Sequence, residues 1–222
     1  MSASAGFLLS VSVAAVGAVT LNSVGNTVSA AITDSGNELG EQVTAVDNIL
    51  VEATDNSTIT TDTASASISV AAGAGISGAI NFSASGSTNE IANHTTALIE
   101  DSPVTSNSGT ISVLADSNAD VDSFAVAVGL TISAGLAAVV GGVIGAGTMN
   151  HVTSTTEAVI RDSGDGVLTD VGAPGLILVQ ATDNANINAD TGAASFSLSA
   201  GIIAGNVSVT VSASENQVSN TT

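Results

Sequence analysis

From Ala64 to Phe82 the chain alternates with a period of two. The even positions are Ala64, Ala66, Ile68, Val70, Ala72, Ala74, Ile76, Gly78, Ile80 and Phe82; between them lie Ser65, Ser67, Ser69, Ala71, Gly73, Gly75, Ser77, Ala79 and Asn81. One apolar face and one small or polar face at this spacing predict a β-strand, with the apolar face buried and the polar face in water. A second run, Val126, Val128, Leu130, Ile132, Ala134, Leu136, Ala138, Val140, Gly142 and Ile144, falls in the same columns when the copies are matched by the Ala53 and Ala115 anchors. Those columns pair Ala74 with Leu136, Ile76 with Ala138 and Gly78 with Val140. Large-against-small pairing of this kind fills a narrow core without voids.

The alternation belongs to a longer repeat. Asn22, Asn89, Asn150 and Asn216 open successive copies at spacings of 67, 61 and 66 residues. Twelve residues after the first three come Asp34-Ser35, Asp101-Ser102 and Asp162-Ser163. A second anchor recurs at Ala53-Thr-Asp-Asn56, Ala115-Asp-Ser-Asn118 and Ala181-Thr-Asp-Asn184. A fixed period marks stacked units, each covered by the next. The stretch from each Asp to the next Ala varies in length and carries Gly36–Gly40 in one copy, and Gly164–Gly166 with Ala173-Pro-Gly175 in another, so it is expected to be a surface loop. We divide residues 1–222 into one solenoid with repeats at 1–52 (partial), 53–114, 115–180 and 181–222 (partial). Both ends fall inside a repeat, which suggests a portion of a longer array.

Charge narrows the partners. Twenty carboxylates face a single basic side chain, Arg161, for a net charge of −19. Nucleic acid and anionic lipid both need Lys and Arg, so neither is an expected partner. Four windows, 1–33, 63–89, 123–156 and 191–214, hold no Asp, Glu, Lys or Arg. Their hydropathy resembles that of membrane spans, but positive flanks, Trp and Tyr are all missing and the period is two. The expectation is therefore no membrane insertion. No Cys is present, so no disulfide framework operates.

The order of these segments resembles a known family. Ile49–Ile59 leads into an Ala/Gly/Val-rich run and then into Asn89–Ser102. This resembles the repeat arrays of large secreted bacterial exoproteins, the leukotoxin-like and haemagglutinin-like filamentous adhesins with β-strand repeats. The resemblance implies an all-β fold, a right-handed parallel β-helix (β-solenoid), here with imperfect repeats of 61–67 residues. It also implies an extracellular, bacterial cell-surface location and a role as a filament shaft. Identical strands repeated in one direction pair most simply as parallel neighbours, about 4.8 Å per rung. One repeat then holds either about three coils of roughly 20 residues, the economy of the resemblance, or one coil with long flat sides. We favour the first.

Candidate sites are few. Asp116, Asn118, Asp120 and Asp122 alternate on one strand face while Val121 points inward, and oxygen donors so arranged suit Ca²⁺. The same columns suggest an amide ladder of Asn56, Asn118 and Asn184 along an outer face. Asp34, Asp101 and Asp162, each with the serine that follows, look like turn residues, where a side-chain oxygen caps the backbone after a strand. His94 and His151 occupy different columns, which argues against a shared metal or catalytic role. With one Arg, no Lys, and no Trp or Tyr to platform a sugar, no enzyme is expected. The sequence thus points to a non-enzymatic structural shaft whose partners are neighbouring repeats, copies of itself stacked end to end, and a host or cell-surface receptor. The alternative is a calcium-dependent binding module of a surface-layer or matrix protein.

Overall fold

The computed structural model describes residues 1–35, 43–163, 167–169 (backbone) and 175–222. The loops at Gly36–Gly40 and Gly164–Gly166, with Ala173 and Pro174, lie outside the described residues. Within them the regular structure is entirely β: β1 (Ser2–Gly6), β2 (Leu9–Val24), β3 (Thr27–Thr33), β4 (Val43–Ala45), β5 (Ile49–Gly73), β6 (Ile76–Glu100), β7 (Val104–Ser106), β8 (Ile111–Ala134), β9 (Ala137–Arg161), β10 (Val167–Thr169), β11 (Ile177–Ala200) and β12 (Ile203–Val218). Every strand pairing is parallel. Three sheets result, ordered β1-β5-β8-β11, β2-β6-β9-β12 with β3 also on β6, and β4-β7-β10. This is a parallel β-solenoid.

Each repeat makes one coil, and the shorter three-coil economy is set aside. A coil runs up one 24- or 25-residue strand, turns tightly, returns along a second of 25, and crosses a three-residue strand before the next rung. At about 3.3 Å per residue each long side spans roughly 80 Å. Such sides are possible because no Pro and no charged residue interrupts the tip half, while alternation persists from end to end. Asn22, Asn89, Asn150 and Asn216 meet in register, so the sequence period is the rung-to-rung offset.

Two turn types close the coil. At the tip, Gly73 and Gly75, Gly135 and Gly201 stack so closely that a side chain would strike main chain. A Cβ on Gly75 would lie 2.3 Å from the Leu8 carbonyl oxygen, and one on Gly201 2.4 Å from that of Gly135. At the opposite corner Asp34, Asp101 and Asp162 take left-handed φ values of 49°, 46° and 49°. Asp tolerates that region better than most residues. The side-chain oxygen that bonds the backbone here belongs to the serine that follows. Ser35, Ser102 and Ser163 Oγ donate to the carbonyls of Thr33, Glu100 and Arg161 at 3.1, 2.8 and 3.0 Å.

The column matching needs one correction. Sheet β5–β8 keeps the 62-residue offset, but after the tip turn the pairing is Ile76 with Ala137 and Gly78 with Val139. Three residues separate Ala72 from Ile76, and only two separate Ala134 from Ala137, so the register slips by one. Ala74 and Leu136 lie in the turns and pair with nothing in a column.

The main hydrophobic core sits at the corner end, where the three sheets meet. Val51, Ala53, Ala97, Ile99, Val104, Ile111, Val113 and Ala115 pack there. Ile59, Ile91, Ala119, Val121 and Val152 continue it along the coil. Fully burying an Ile or Val contributes about 1.5–3 kcal/mol. Beyond that level the interior changes character. Ser65, Ser67, Ser69, Ser77, Asn81 and Ser83 are buried, whereas Ile80 and Phe82 are exposed. The expected inward apolar face is the outward one here. The cause is parity: β5 runs unbroken from Ile49 to Gly73, so the odd positions that point Val51, Ala53 and Ile59 inward carry Ser65, Ser67 and Ser69 inward as well.

Candidate functional site

The inversion of polarity is the feature that most distinguishes this solenoid. It occurs at one height on both long sheets. Thr61 Oγ1 donates to Asn89 Oδ1 across the interior at 2.8 Å, which places residue 61 of one sheet opposite residue 89 of the other. On the corner side of this level the outer faces carry Glu52, Asp116, Asp120, Asp122, Glu100 and Glu157. On the tip side, within the same strands, they carry Ala, Gly, Val, Ile, Leu and Phe beyond a boundary column of Thr88, Met149 and Glu215. Phe82 is 45% exposed, Leu130 partly so, Phe196 62% and Val207 68%. Phe7, Leu8, Leu136 and Ile202 stand exposed at the tip turn itself.

An interior asparagine ladder runs along the axis at the changeover. Asn22 Nδ2 donates to Asn89 Oδ1 at 2.9 Å, Asn89 to Asn150 at 2.8 Å, and Asn150 to Asn216 at 2.8 Å. Asn89 and Asn150 are buried. Their second bonds reach across to Thr61 and Ser123. The sequence marks these four positions as repeat openers, and the shared spacing was the available sign that they stack. A polar amide in a thin interior is tolerated because each rung supplies the acceptor the rung before it lacks.

Toward the tip, hydroxyls zip the two sheets together. Ser65 bonds Ser83 at 2.8 Å, Ser77 bonds Ser133 at 2.8 Å, and Ser67 bonds Asn81. Asn81 Nδ2 also donates to the carbonyls of Ser67 and Leu130. Small residues keep the sheets near one another: a Cβ on Gly129 would lie 2.3 Å from Ile144 Cδ1. The tip half is therefore a thin two-sheet blade, with hydroxyls and amides interspersed among Ala, Val140 and Ile144 inside and apolar groups on both outer faces.

The predicted outer residues fall on the corner half. Asn118 Nδ2 donates to Asn56 Oδ1 and Asn184 Nδ2 to Asn118 Oδ1, both at 3.1 Å, in an exposed column. Asp116 lies partly buried on the same face, and one of its carboxylate oxygens accepts from Asn118 at 3.4 Å. Asp120 and Asp122 accept from Asn186 and Asn188 of the next rung at 2.9 and 3.3 Å. Among the described residues no three His, Cys, Asp or Glu side chains converge as a metal set. Asp120 and Asp122 are thus engaged by amides along the axis, while Asp116 accepts only from Asn118 of its own strand and its other oxygen is buried without a partner.

The remaining charged groups are local. Arg161 Nε lies 2.6 Å from Glu100 Oε1 on the adjacent rung, an exposed pair. The hydrogen bond to Glu100 is the first cause that raises the Arg161 pKa above its ordinary value, followed by the carboxylate charge. His94 and His151 each bond a threonine two residues along the same strand, Thr96 at 3.1 Å and Thr153 at 2.8 Å, and do not approach one another's column. No family model matches the chain, and no match is found among curated proteins or solved structures.

Proposed function

We propose that this chain is a non-enzymatic structural segment: part of the shaft of an extracellular bacterial adhesin or surface filament. The carrying observation is the parallel register of two complete and two partial coils, with an interior asparagine ladder through four rungs and an exterior one through three. Such a unit extends in one dimension by adding copies of itself, and its stability grows with each neighbour interface. The resemblance to filamentous exoproteins supports the cell-surface setting. Its partners in this reading are adjacent coils, whether of the same chain or of another stacked end to end, and a receptor carried elsewhere on the filament. The amide-engaged carboxylates favour a shaft held by its own ladders over a calcium-dependent module.

The test is thermal unfolding with and without a chelator, alongside imaging. The shaft reading expects a melting temperature unmoved by chelation, and filaments that lengthen along the strand-stacking axis with a repeat of about 4.8 Å. A large drop in melting temperature on chelation, restored by Ca²⁺, would instead establish the calcium-dependent module.

A further inference from the structure

We infer that the tip half of this solenoid is a lipid-inserting blade, whose occupant is the hydrocarbon of a zwitterionic bilayer. The inference is independent of the shaft reading. It departs from the expectation of no membrane insertion, which assumed that the apolar columns were buried.

Four observations carry it. First, the apolar surface wraps the blade on three sides. Ile68, Leu130 and Phe196 form one outer column on one sheet, Ile80 and Val207 flank Gly141 in a column of the other, and Leu136 crowns the tip. A flat partner, such as another blade, covers one of these sides and leaves the rest in water. Hydrocarbon covers all of them.

Second, the outer face of the tip half is apolar while its interior mixes hydroxyls and amides with small or branched apolar side chains such as Ala125, Ala127, Val140 and Ile144, and an apolar outer face is what strands present when lipid lies outside. The corner half of the same strands shows the reverse pattern of a water-soluble sheet. Third, the apolar length is sufficient. From the Thr61–Asn89 level to the tip each strand has about a dozen residues, roughly 40 Å at 3.3 Å each, so a tilt of about 40° places the whole blade within a hydrocarbon core of about 30 Å. Fourth, much of the polar main chain and interior is answered from within, although the buried hydroxyls of Ser85, Ser87, Thr131 and Thr148 have no partner. Strands β6, β8 and β9 are hydrogen-bonded on both edges through the blade, and Ser65, Ser83 and Asn81 bond across the interior. Open edges remain on β1, β2, β11 and β12 and on β5 from Thr61 to Ile68, and further coils stacked at both ends would pair them as β6, β8 and β9 are paired.

Charge selects the kind of bilayer. The carboxylates begin at the level of Glu215, Asp62 and Glu90, with Glu215 in the column of Thr88 and Met149, and continue to the corner, with Arg161 alone against them. That half belongs in water beside the headgroups, and anionic lipid would repel it.

The test uses the full chain with large phosphatidylcholine vesicles in a flotation gradient. The wild-type chain is expected to float with the vesicles. Phe82→Asp, at an outward position whose side chain the fold does not bury, should cut the bound fraction about tenfold while leaving the β-type circular dichroism spectrum unchanged. Because the chain has no Cys, Leu136→Cys and Asp120→Cys give single labelling sites at the tip and on the corner half. A dye at position 136 should be quenched by brominated acyl chains and one at 120 should not. The inference is overturned if the chain stays out of the lipid fraction, or if the tip label escapes quenching. It is equally overturned if the chain forms a regular lipid-free assembly that vesicles do not disturb, which would make a second copy the occupant.

Discussion

At the scale of single residues, the two asparagine ladders make the same bond in opposite surroundings. Asn150 is buried and links Asn89 to Asn216 and Ser123. Asn118 makes an equivalent pair of axial bonds to Asn56 and Asn184 in reach of water. Replacing Asn150 with Ala strands the Asn89 amide inside the coil, at a cost of about 1–3 kcal/mol for an unsatisfied buried group. Asn118→Ala leaves neighbours that water can satisfy, and should cost about 1 kcal/mol or less. Chemical denaturation of the two variants measures the difference, and equal losses would mean that burial does not set the value of the ladder. The corner aspartates teach a related point. Their recurrence identified the turn, but the residue type alone did not say whether the side chain or the left-handed backbone was required. The φ values of Asp34, Asp101 and Asp162 show it is the backbone, with the serine supplying the bond.

At the scale of strands, pairing predicts which segments open first. β8 is bonded to β5 on one edge and β11 on the other, and β9 is held likewise by β6 and β12. β1 covers only Ser69–Gly73 of β5, which leaves the stretch from Ile49 to Ile68 with one edge unpaired in this chain. Amide hydrogen exchange should therefore be slowest in β8 and β9 and faster by orders of magnitude in β1, β12 and β4. Uniform protection across all strands would show a continuous partner on the open edges. Strand type, parallel pairing and the rung-to-rung offset were legible because an alternation of two and a repeat of fixed spacing each have one simple structural solution. The inward face in the tip half was not read, since alternation defines two faces without saying which one is covered. The deciding signal was present elsewhere in the same strand. Val121 points inward between outward Asp120 and Asp122, and an unbroken strand then sends Ala125 and Ala127 in and Phe124 and Val126 out. Glycine turns hid the rest, because a turn that is one residue shorter in the second complete coil shifts every later column.

At the scale of the whole molecule, an apolar blade and an acidic corner half work against each other in water. A surface with so many exposed Val, Ile, Leu and Phe side chains associates unless something holds copies apart. Here that is self-repulsion from a net charge of −19, which acts over a screening length of about 30 Å at 0.01 M salt and about 3 Å at 1 M. In the absence of lipid the chain should stay dispersed at neutral pH and low salt. It should associate as salt rises and the repulsion is screened. Light scattering across the salt titration measures the onset. Phe82→Asp and Leu130→Asp each place a charge on the blade, one on each sheet, and should move the onset to higher salt without altering the melting temperature. Onset at the same salt in the wild-type chain and in these variants would locate the attraction outside the blade, at the open strand edges of the terminal coils, and would make end-to-end stacking the dominant contact between copies.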